Sequence, residues 1–386
     1  MTEVVYDLEN VRFRDSGNPY MRFQDLLPVR DPALLPQDAV YTEIIHAEKL
    51  GAFLEMPNLY LKNEGRHPTG TTKDHMAAVS LPFMYECGVR AFCTSSTGNS
   101  STSYARAVAR FPGMRMFVFT AENFRARVNY RDLPQVTHYV MKDASFVNAF
   151  DYSGEFAKLN DFVSERGFFN PGRREGLKIT FLEAAEQIPR PIDWYVQGIS
   201  SAMGVHGVYK GAKELHAMGK IPRLPSLLCV QQESCSPMVH AWEEGFGQIQ
   251  PHHIIHRPAG IAEAILRGDP SRVYPIIRGI VNESGGRFAR AAEKEIRAAR
   301  KLLLELEGVN ACFSSSTALA GLIKLAHSGD FPLKDTVMIN LTGSDRQADP
   351  DQLQHQDLRW LVKSGKGWAA EDPSLDGGMK HSASFF

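Results

Sequence analysis

No run of this 386-residue chain is both apolar and long enough to cross a bilayer, because a spanning helix needs about 20 such residues. Neither sign of charge predominates: 43 Lys and Arg stand against 44 Asp and Glu, a formal net charge of -1. That balance removes any electrostatic case for a nucleic-acid or anionic-membrane partner. Cysteine is scarce, with five residues (Cys87, Cys93, Cys229, Cys235 and Cys312), and none forms a C-x-x-C pair. Neither a disulfide framework nor a cysteine zinc site is expected from that spacing. Buried thiols in a reducing cytoplasm are the natural reading. The opening Met1–Asp7 is acidic and has no basic-then-apolar leader, so no secretory signal is expected.

What remains is an ordinary globular composition, 43% hydrophobic and 23% charged, with enough residues for two compact units. Pro19, Pro28, Pro32 and Pro36 break up the first 50 or so residues. Beyond them, short apolar, β-branched and aromatic runs suit strands buried on both faces. These are Leu59–Lys62, Ala91–Thr94, Met116–Phe119, Trp194–Gln197, Leu227–Val230 and Val337–Leu341. Helical patterns lie between them, the clearest over Phe288–Leu306 and another over Thr317–Ala326. The alternation predicts an α/β protein with a mainly parallel sheet. The tail from Asp372 is rich in Gly and Ser and reads as loose, with Phe385 and Phe386 able to dock.

Four segments carry chemistry. In Lys62–His75 a strand ends, Pro68 and Gly70 turn the chain, and Lys73 stands where a helix begins. The positive end of a helix dipole favours the neutral amine, which is the form that attacks an aldehyde. In Thr94–Ser103 nearly every side chain is a hydroxyl, more than one helix cap requires. Such a loop before a helix suits an anion, here a substrate carboxylate. Gly198–Gly207 is a run of small residues between strand and helix that can close on a phosphate, although its spacing fits neither a Walker loop nor a dinucleotide fingerprint. Asn340–Ser344 brings a hydroxyl, Thr342, to the carboxyl end of the last buried strand.

In this order the four segments resemble the fold-type II pyridoxal 5′-phosphate (PLP) enzymes, the tryptophan synthase β-subunit superfamily, and most closely threonine synthase-like proteins. Lys62–His75 is similar to K-x-E-x-x-N-P-T-G-S-F-K-D-R, and Ser96–Ser101 to S-T-G-N-T-S. Asn170–Thr180 is similar to N-P-x-R-x-E-G-Q-K-T, Val230–Glu233 to V-Q-A-E, and Leu341–Ser344 in part to L-T-G-H-G. The similarity runs from about residue 20 to about 345.

The resemblance implies a two-domain α/β fold with mainly parallel sheets flanked by helices. Residues 1–79 and 181–386 would form the large cofactor-binding domain, and 80–180 a smaller inserted, mobile domain that closes over the site. Lys73 would hold the cofactor as a Schiff base and move the Cα proton of the substrate. Asn99 would contact the ring hydroxyl, and Ser200, Ser201, Ala202, Met203 and Gly204 the phosphate. Thr342 would face the ring nitrogen, while Ser96, Thr97 and Ser100 would hold the substrate carboxylate. A homodimer with a small amino-acid substrate is implied. So is elimination or replacement at the β or γ carbon of an amino acid with a side-chain leaving group, with O-phosphohomoserine as one substrate. A β-replacement enzyme of the cysteine synthase or cysteate synthase kind, acting on O-phosphoserine or O-acetylserine, is an alternative. So is a PLP-binding paralogue without catalysis.

The chain departs from the family pattern at named places. His67 stands for Asn, Thr72 for Phe and His75 for Arg. The phosphate loop reads Ser-Ser-Ala-Met-Gly, Tyr41–Ile44 replaces T-P-L, and Cys312 stands for an acidic residue. These departures indicate a changed substrate. No metal is expected: His252, His253 and His256 have no nearby carboxylate in sequence and read as a loop between Pro251 and Pro258. Arg173, Arg174 and Lys178 read either as phosphate ligands or as exposed charges at a helix start.

Overall fold

The computed structural model describes residues 1–130, 133–345, 358–365 and 367–381. In chain order the strands are β1 (Glu43–His46), β2 (Leu59–Asn63), β3 (Ala91–Ser95), β4 (Arg115–Ala121), β5 (Val136–Met141) and β6 (Val163–Ser164). They continue with β7 (Trp194–Gly198), β8 (Ser226–Gln232), β9 (Arg287–Ala291), β10 (Val337–Leu341), β11 (Leu358–Ser364) and β12 (Gly367–Ala370). They form two six-stranded sheets, ordered β1-β2-β10-β7-β8-β9 and β12-β11-β5-β4-β3-β6. Only the edge pairs β1–β2 and β11–β12 are antiparallel. All six strands expected from sequence are present.

Helices cover both faces of each sheet, and the period-2 alternation of a strand sorts side chains between them. In the first sheet Leu59, Leu61, Val196, Val230 and Ile339 turn to one face, against the helices Glu293–Glu307 and Phe313–His327. Tyr60, Tyr195, Cys229 and Met338 turn to the other, against the helices Lys73–Glu86 and Met203–Ala217. In the second sheet Phe117, Phe119, Tyr139 and Met141 meet the helix Phe146–Leu159. Strands covered on both faces have no polar side to display, which explains why their sequences read as continuous apolar runs.

Two sequence expectations are corrected. The helical pattern over Phe288–Leu306 begins as strand β9, paired with β8, and the helix starts only at Glu293. Glu295 accepts the N–H of Ala292 at 2.7 Å and sets that boundary. The second correction concerns the end of the chain, which the sequence grouped with the large domain. β11 instead extends the second sheet in parallel beside β5, where Leu361 is fully buried against Phe119 and Tyr139. The following segment is tied there too, Tyr139 Oη donating to Asp376 Oδ1 at 2.7 Å. The proposed docking of Phe385 and Phe386 lies outside the described residues.

Candidate active site

β2, β10 and β7 are neighbours in the first sheet, and each releases one of the small-residue segments at its carboxyl end; β3 releases the other from the second sheet. Ligands of parallel α/β sheets bind at that end. A cavity of about 190 Å³ lies there, and its wall includes Lys73, Ser96, Thr97, Asn99, Ser100, Ser200, Ser201, Ala202, Met203, Gly204 and Thr342. Segments far apart in sequence are thus brought to one place.

Lys73 is the first residue of its helix. Burial, and then the charge of Arg173, lower its ammonium from the ordinary 10.5 to about 8. A usable fraction of neutral amine follows near neutral pH. The residues before it are fixed to the Thr342 segment: Thr72 N–H donates to Thr342 O at 2.9 Å, and Thr71 bridges to Gly343. Ser315 clamps that segment from below, exchanging bonds with Gly343 N (2.9 Å) and O (2.8 Å) and lying 3.5 Å from Thr342 Oγ1. Cys312 Sγ sits 3.3 Å from Ser315 Oγ and also reaches the cavity wall.

The hydroxyl loop is built by its own backbone. Ser96 Oγ accepts from Gly98 N (3.0 Å) and Ser101 N (3.3 Å), which leaves its O–H to donate to a ligand. Gly98 has φ 120°, and a Cβ there would stand 2.5 Å from Arg127 O, so only glycine fits. Ser95, also on the cavity wall, has a buried hydroxyl without a partner among the described atoms. A buried hydroxyl without a partner is unfavourable, so a polar ligand in the cavity would stabilise it. The helix Asn99–Val108 then starts at the cavity.

The loop after β7 has the geometry of an anion cradle. Ala202 is left-handed (φ 56°) immediately before the helix Met203–Ala217, a turn that converges successive N–H groups. Alanine adopts that conformation at a cost of about 1–2 kcal/mol. Gly204 lets the backbone approach closely, since a Cβ would stand 2.8 Å from Gln197 Oε1. An amine, an anion cradle and a hydroxyl at Thr342 around one cavity fit a pyridine aldehyde bearing a phosphate.

Sequence reasoning missed several wall residues. Arg166, Arg267 and Arg272 line the cavity, and none pairs with a described carboxylate. Burial pushes the Arg267 guanidinium below its ordinary value, opposed by the charge of Asp269 and reinforced by Arg272; Arg267 Nε donates to the Asp269 carbonyl at 3.0 Å, and Arg272 lies 4.9 Å over the Phe169 ring. No motif surrounds them; they come from loops whose placement is a tertiary outcome.

The basic trio before and within the helices at 171–187 is not exposed. Arg173 reaches the cavity but is held by Glu165, Lys178 by Glu175 (2.6 Å) and Glu214 (2.8 Å), and Arg174 by the carbonyls of Phe168 and Thr2. The histidine loop is corrected as well. Glu244 supplies the missing carboxylate, with His252 Nε2 at 2.9 Å and His253 Nε2 at 3.0 Å from its Oε2.

The comparisons with known proteins agree with this geometry. A threonine synthase of Methanocaldococcus jannaschii is 29% identical over 364 residues, covering 91% of this chain and 87% of its own length. A cysteate synthase of Methanosarcina barkeri is 26% identical over 342 residues, covering 83% of this chain and 80% of its own length. The solved maize serine racemase superposes with a TM-score of 0.65 at 18% identity, over 81% of this chain and 92% of that one, a likeness of fold. The family model described as pyridoxal-phosphate dependent enzyme matches residues 36–343. With the amine, the cradle and the hydroxyl wall all inside that span, the chain belongs to the pyridoxal-phosphate-dependent enzymes.

Proposed function

We propose that this enzyme is a threonine synthase-like lyase whose substrate is an amino acid with a phosphate leaving group, O-phosphohomoserine in the first instance. The observation that carries the phosphate is the cavity wall with Arg166, Arg267 and Arg272. Three guanidinium groups that form no ion pair with a described carboxylate, although Asp269 acts on Arg267 through its charge, suit a dianion beyond the one that the cradle at Ser200–Gly204 takes. The relatives named as threonine synthase and cysteate synthase support the same reading.

When bound, pyridoxal phosphate supplies an electron sink for charge developing at the substrate Cα. Lys73, its amine neutral in part near pH 8, takes and returns the proton at Cα. The hydroxyls of Ser96, Thr97 and Ser100 and the N–H groups at Asn99 hold the substrate carboxylate. Asn99 also takes the ring hydroxyl. Thr342 offers the ring nitrogen a hydroxyl rather than a carboxylate, which leaves full protonation unsupported and favours loss of a side-chain leaving group over transamination. The arginines receive the phosphate as the Cγ–O bond breaks with its electron pair. The proton lost from Cβ is returned at Cγ, water adds hydroxide to Cβ, and its other proton passes to the departing phosphate, so O-phosphohomoserine and water give threonine and inorganic phosphate.

The test is turnover by purified holoenzyme of O-phosphohomoserine, O-phosphoserine and O-acetylserine, following phosphate and amino-acid products. Phosphate and threonine from the first, with KM raised at least roughly tenfold in Arg267→Gln/Arg272→Gln, are the expected results. Turnover of O-acetylserine alone, indifferent to the arginines, would overturn the assignment. Phosphate release from O-phosphoserine only in the presence of a sulfur nucleophile would favour the second reading, a β-replacement enzyme like the cysteate synthase relative. A PLP-binding protein without catalysis is excluded by turnover of any of the three. We also propose a homodimer, on the resemblance to its family, and a cytoplasmic site, on five free thiols. The segment 80–180 is proposed to close over bound substrate.

A further inference from the structure

Two of the departures from the family pattern, His67 and His75, meet in space. Their rings are 4.3 Å apart, and both face the carboxylate of Glu64. His67 Nε2 is 3.0 Å and His75 Nε2 3.5 Å from Glu64 Oε2, and Glu183 Oε1 lies 3.8 Å from His75 Nε2. The side chains of Glu64 and Glu183 are fully buried, and that of His75 is 1% exposed. Even so, His75 Nε2 and Glu183 Oε1 have no hydrogen-bond partner among the described residues. Two unpartnered polar atoms, both buried and aimed at one point, lack an occupant between them.

We propose that Glu64, His67 and His75, with Glu183 as fourth donor, bind one divalent transition-metal ion of the zinc class. Bonds of about 2.0–2.2 Å in a tetrahedral site set donor separations of roughly 3.3–3.6 Å; three of the donor pairs stand at 3.0, 3.5 and 3.8 Å, Glu64, His67 and His75 lie within 4.8 Å of one another, and Glu183 would close in on the ion from the His75 side. The surroundings orient the donors inward. Tyr20 Oη engages His75 Nδ1 at 2.8 Å, which turns Nε2 to the cluster. Thr42 Oγ1 lies 3.0 Å from Glu64 Oε1 and 2.9 Å from Glu183 Oε2, and Lys62 holds that same Glu183 oxygen. The outer carboxylate oxygens are thus occupied, while the inner Glu183 Oε1 has no partner and the inner Glu64 Oε2 meets His67 Nε2 at 3.0 Å, a contact that the ion would replace. His67, 8% exposed, borders a separate open cavity of about 770 Å³ that gives an ion access. None of the four donors lines the active-site cavity, so the site ties the turn at 64–72 to the helix bearing Lys73 without entering the chemistry. The inference is independent of the substrate assigned above.

The experiment treats purified holoenzyme with chelator, then titrates Zn²⁺ against a chromogenic competitor and counts bound metal by mass spectrometry. His67→Asn, Glu64→Gln and Glu244→Gln are compared, the last removing the carboxylate of the second cluster, in which His252 is exposed and His253 buried; cofactor absorption and circular dichroism report folding. One zinc per chain is expected in the wild type and in Glu244→Gln, with affinity lowered at least about a hundredfold in the other two. Wild-type protein loaded with Co²⁺ should show the intense visible bands of a tetrahedral site, a readout that needs no variant. Zinc bound equally tightly by folded His67→Asn, zinc lost in Glu244→Gln, or a wild type without tight zinc or tetrahedral cobalt bands would each overturn the proposal.

Discussion

Replacing Glu165 by Gln removes one negative charge and little volume, at the point where both cavity walls are anchored. Glu165 receives two N–H groups of Arg173, and both side chains are nearly inaccessible, 1% and 6% exposed. The same carboxylate accepts from Tyr104 Oη (2.8 Å), Asn170 Nδ2 (2.9 Å) and Gly167 N (3.1 Å). Arg173 in turn donates to Ser100 Oγ and Thr94 Oγ1, both at 3.3 Å. In Glu165→Gln the amide NH₂ faces a guanidinium that still carries its charge, and water reaches it only from the cavity side. Breaking one side of a buried pair costs about 3–5 kcal/mol, a large share of the roughly 5–15 kcal/mol that holds a typical domain folded. Urea denaturation of the holoenzyme at pH 7 should show that loss. The hydroxyl loop and the segment bearing Arg166, Phe168 and Phe169 should loosen together, raising KM more than it lowers kcat. A double variant, Glu165→Leu/Arg173→Met, should recover much of the stability but not the KM, because an apolar pair is close to neutral in energy yet anchors neither loop. A loss below about 1 kcal/mol in Glu165→Gln would refute the reasoning, since it would mean that Arg173 finds solvent or another anion.

Four further outcomes are expected. For Lys73, whose folded pKa is lowered from 10.5 to about 8, the charged form weakens the cofactor-free protein below pH 8, and that penalty is relieved as pH rises from 8 towards 10.5. Cofactor-free Lys73→Met should therefore be more stable than wild type at pH 7, by about 3 kcal/mol from a 2.5-unit shift. Cofactor attachment to wild type should speed up about tenfold per pH unit until near pH 8 and then level; a rate still climbing at pH 10 would contradict the depressed amine. Gly204→Ala, which sets a Cβ 2.8 Å from Gln197 Oε1, should weaken cofactor retention in equilibrium dialysis by roughly tenfold, and unchanged retention would remove the loop after β7 from the phosphate site. Thr342→Asp should gain a measurable transaminase side reaction, read as keto-acid product, and lose threonine-forming turnover; a variant with no such product would weaken the role assigned to Thr342.

The sequence by itself determined six of the twelve described strands (β2, β3, β4, β7, β8 and β10) and the four segments at strand carboxyl ends, because these are local properties. An apolar run buried on both faces, a turn rich in Gly and Pro, and a hydroxyl before a helix each follow from neighbours within a few residues. Lys73 at a helix start and Ala202 before one were legible in that sense. What only the tertiary structure decided depends on pairing across long separations. β9 is a strand because β8 lies beside it, although its residues continue a helical pattern. β11 joins the second sheet because β5 offers an open edge and Leu361 a buried place. Arg173 became the partner of Glu165 rather than a free phosphate ligand, and Arg267 and Arg272 entered the cavity from loops without a motif. His67 and His75 are eight residues apart in sequence, yet what they face is Glu64 on one side and Glu183 on the other. No spacing rule in one dimension encodes that meeting; it arises when the helix beginning at Lys73 packs against the helix Pro171–Leu177, which leads directly into the one that carries Glu183.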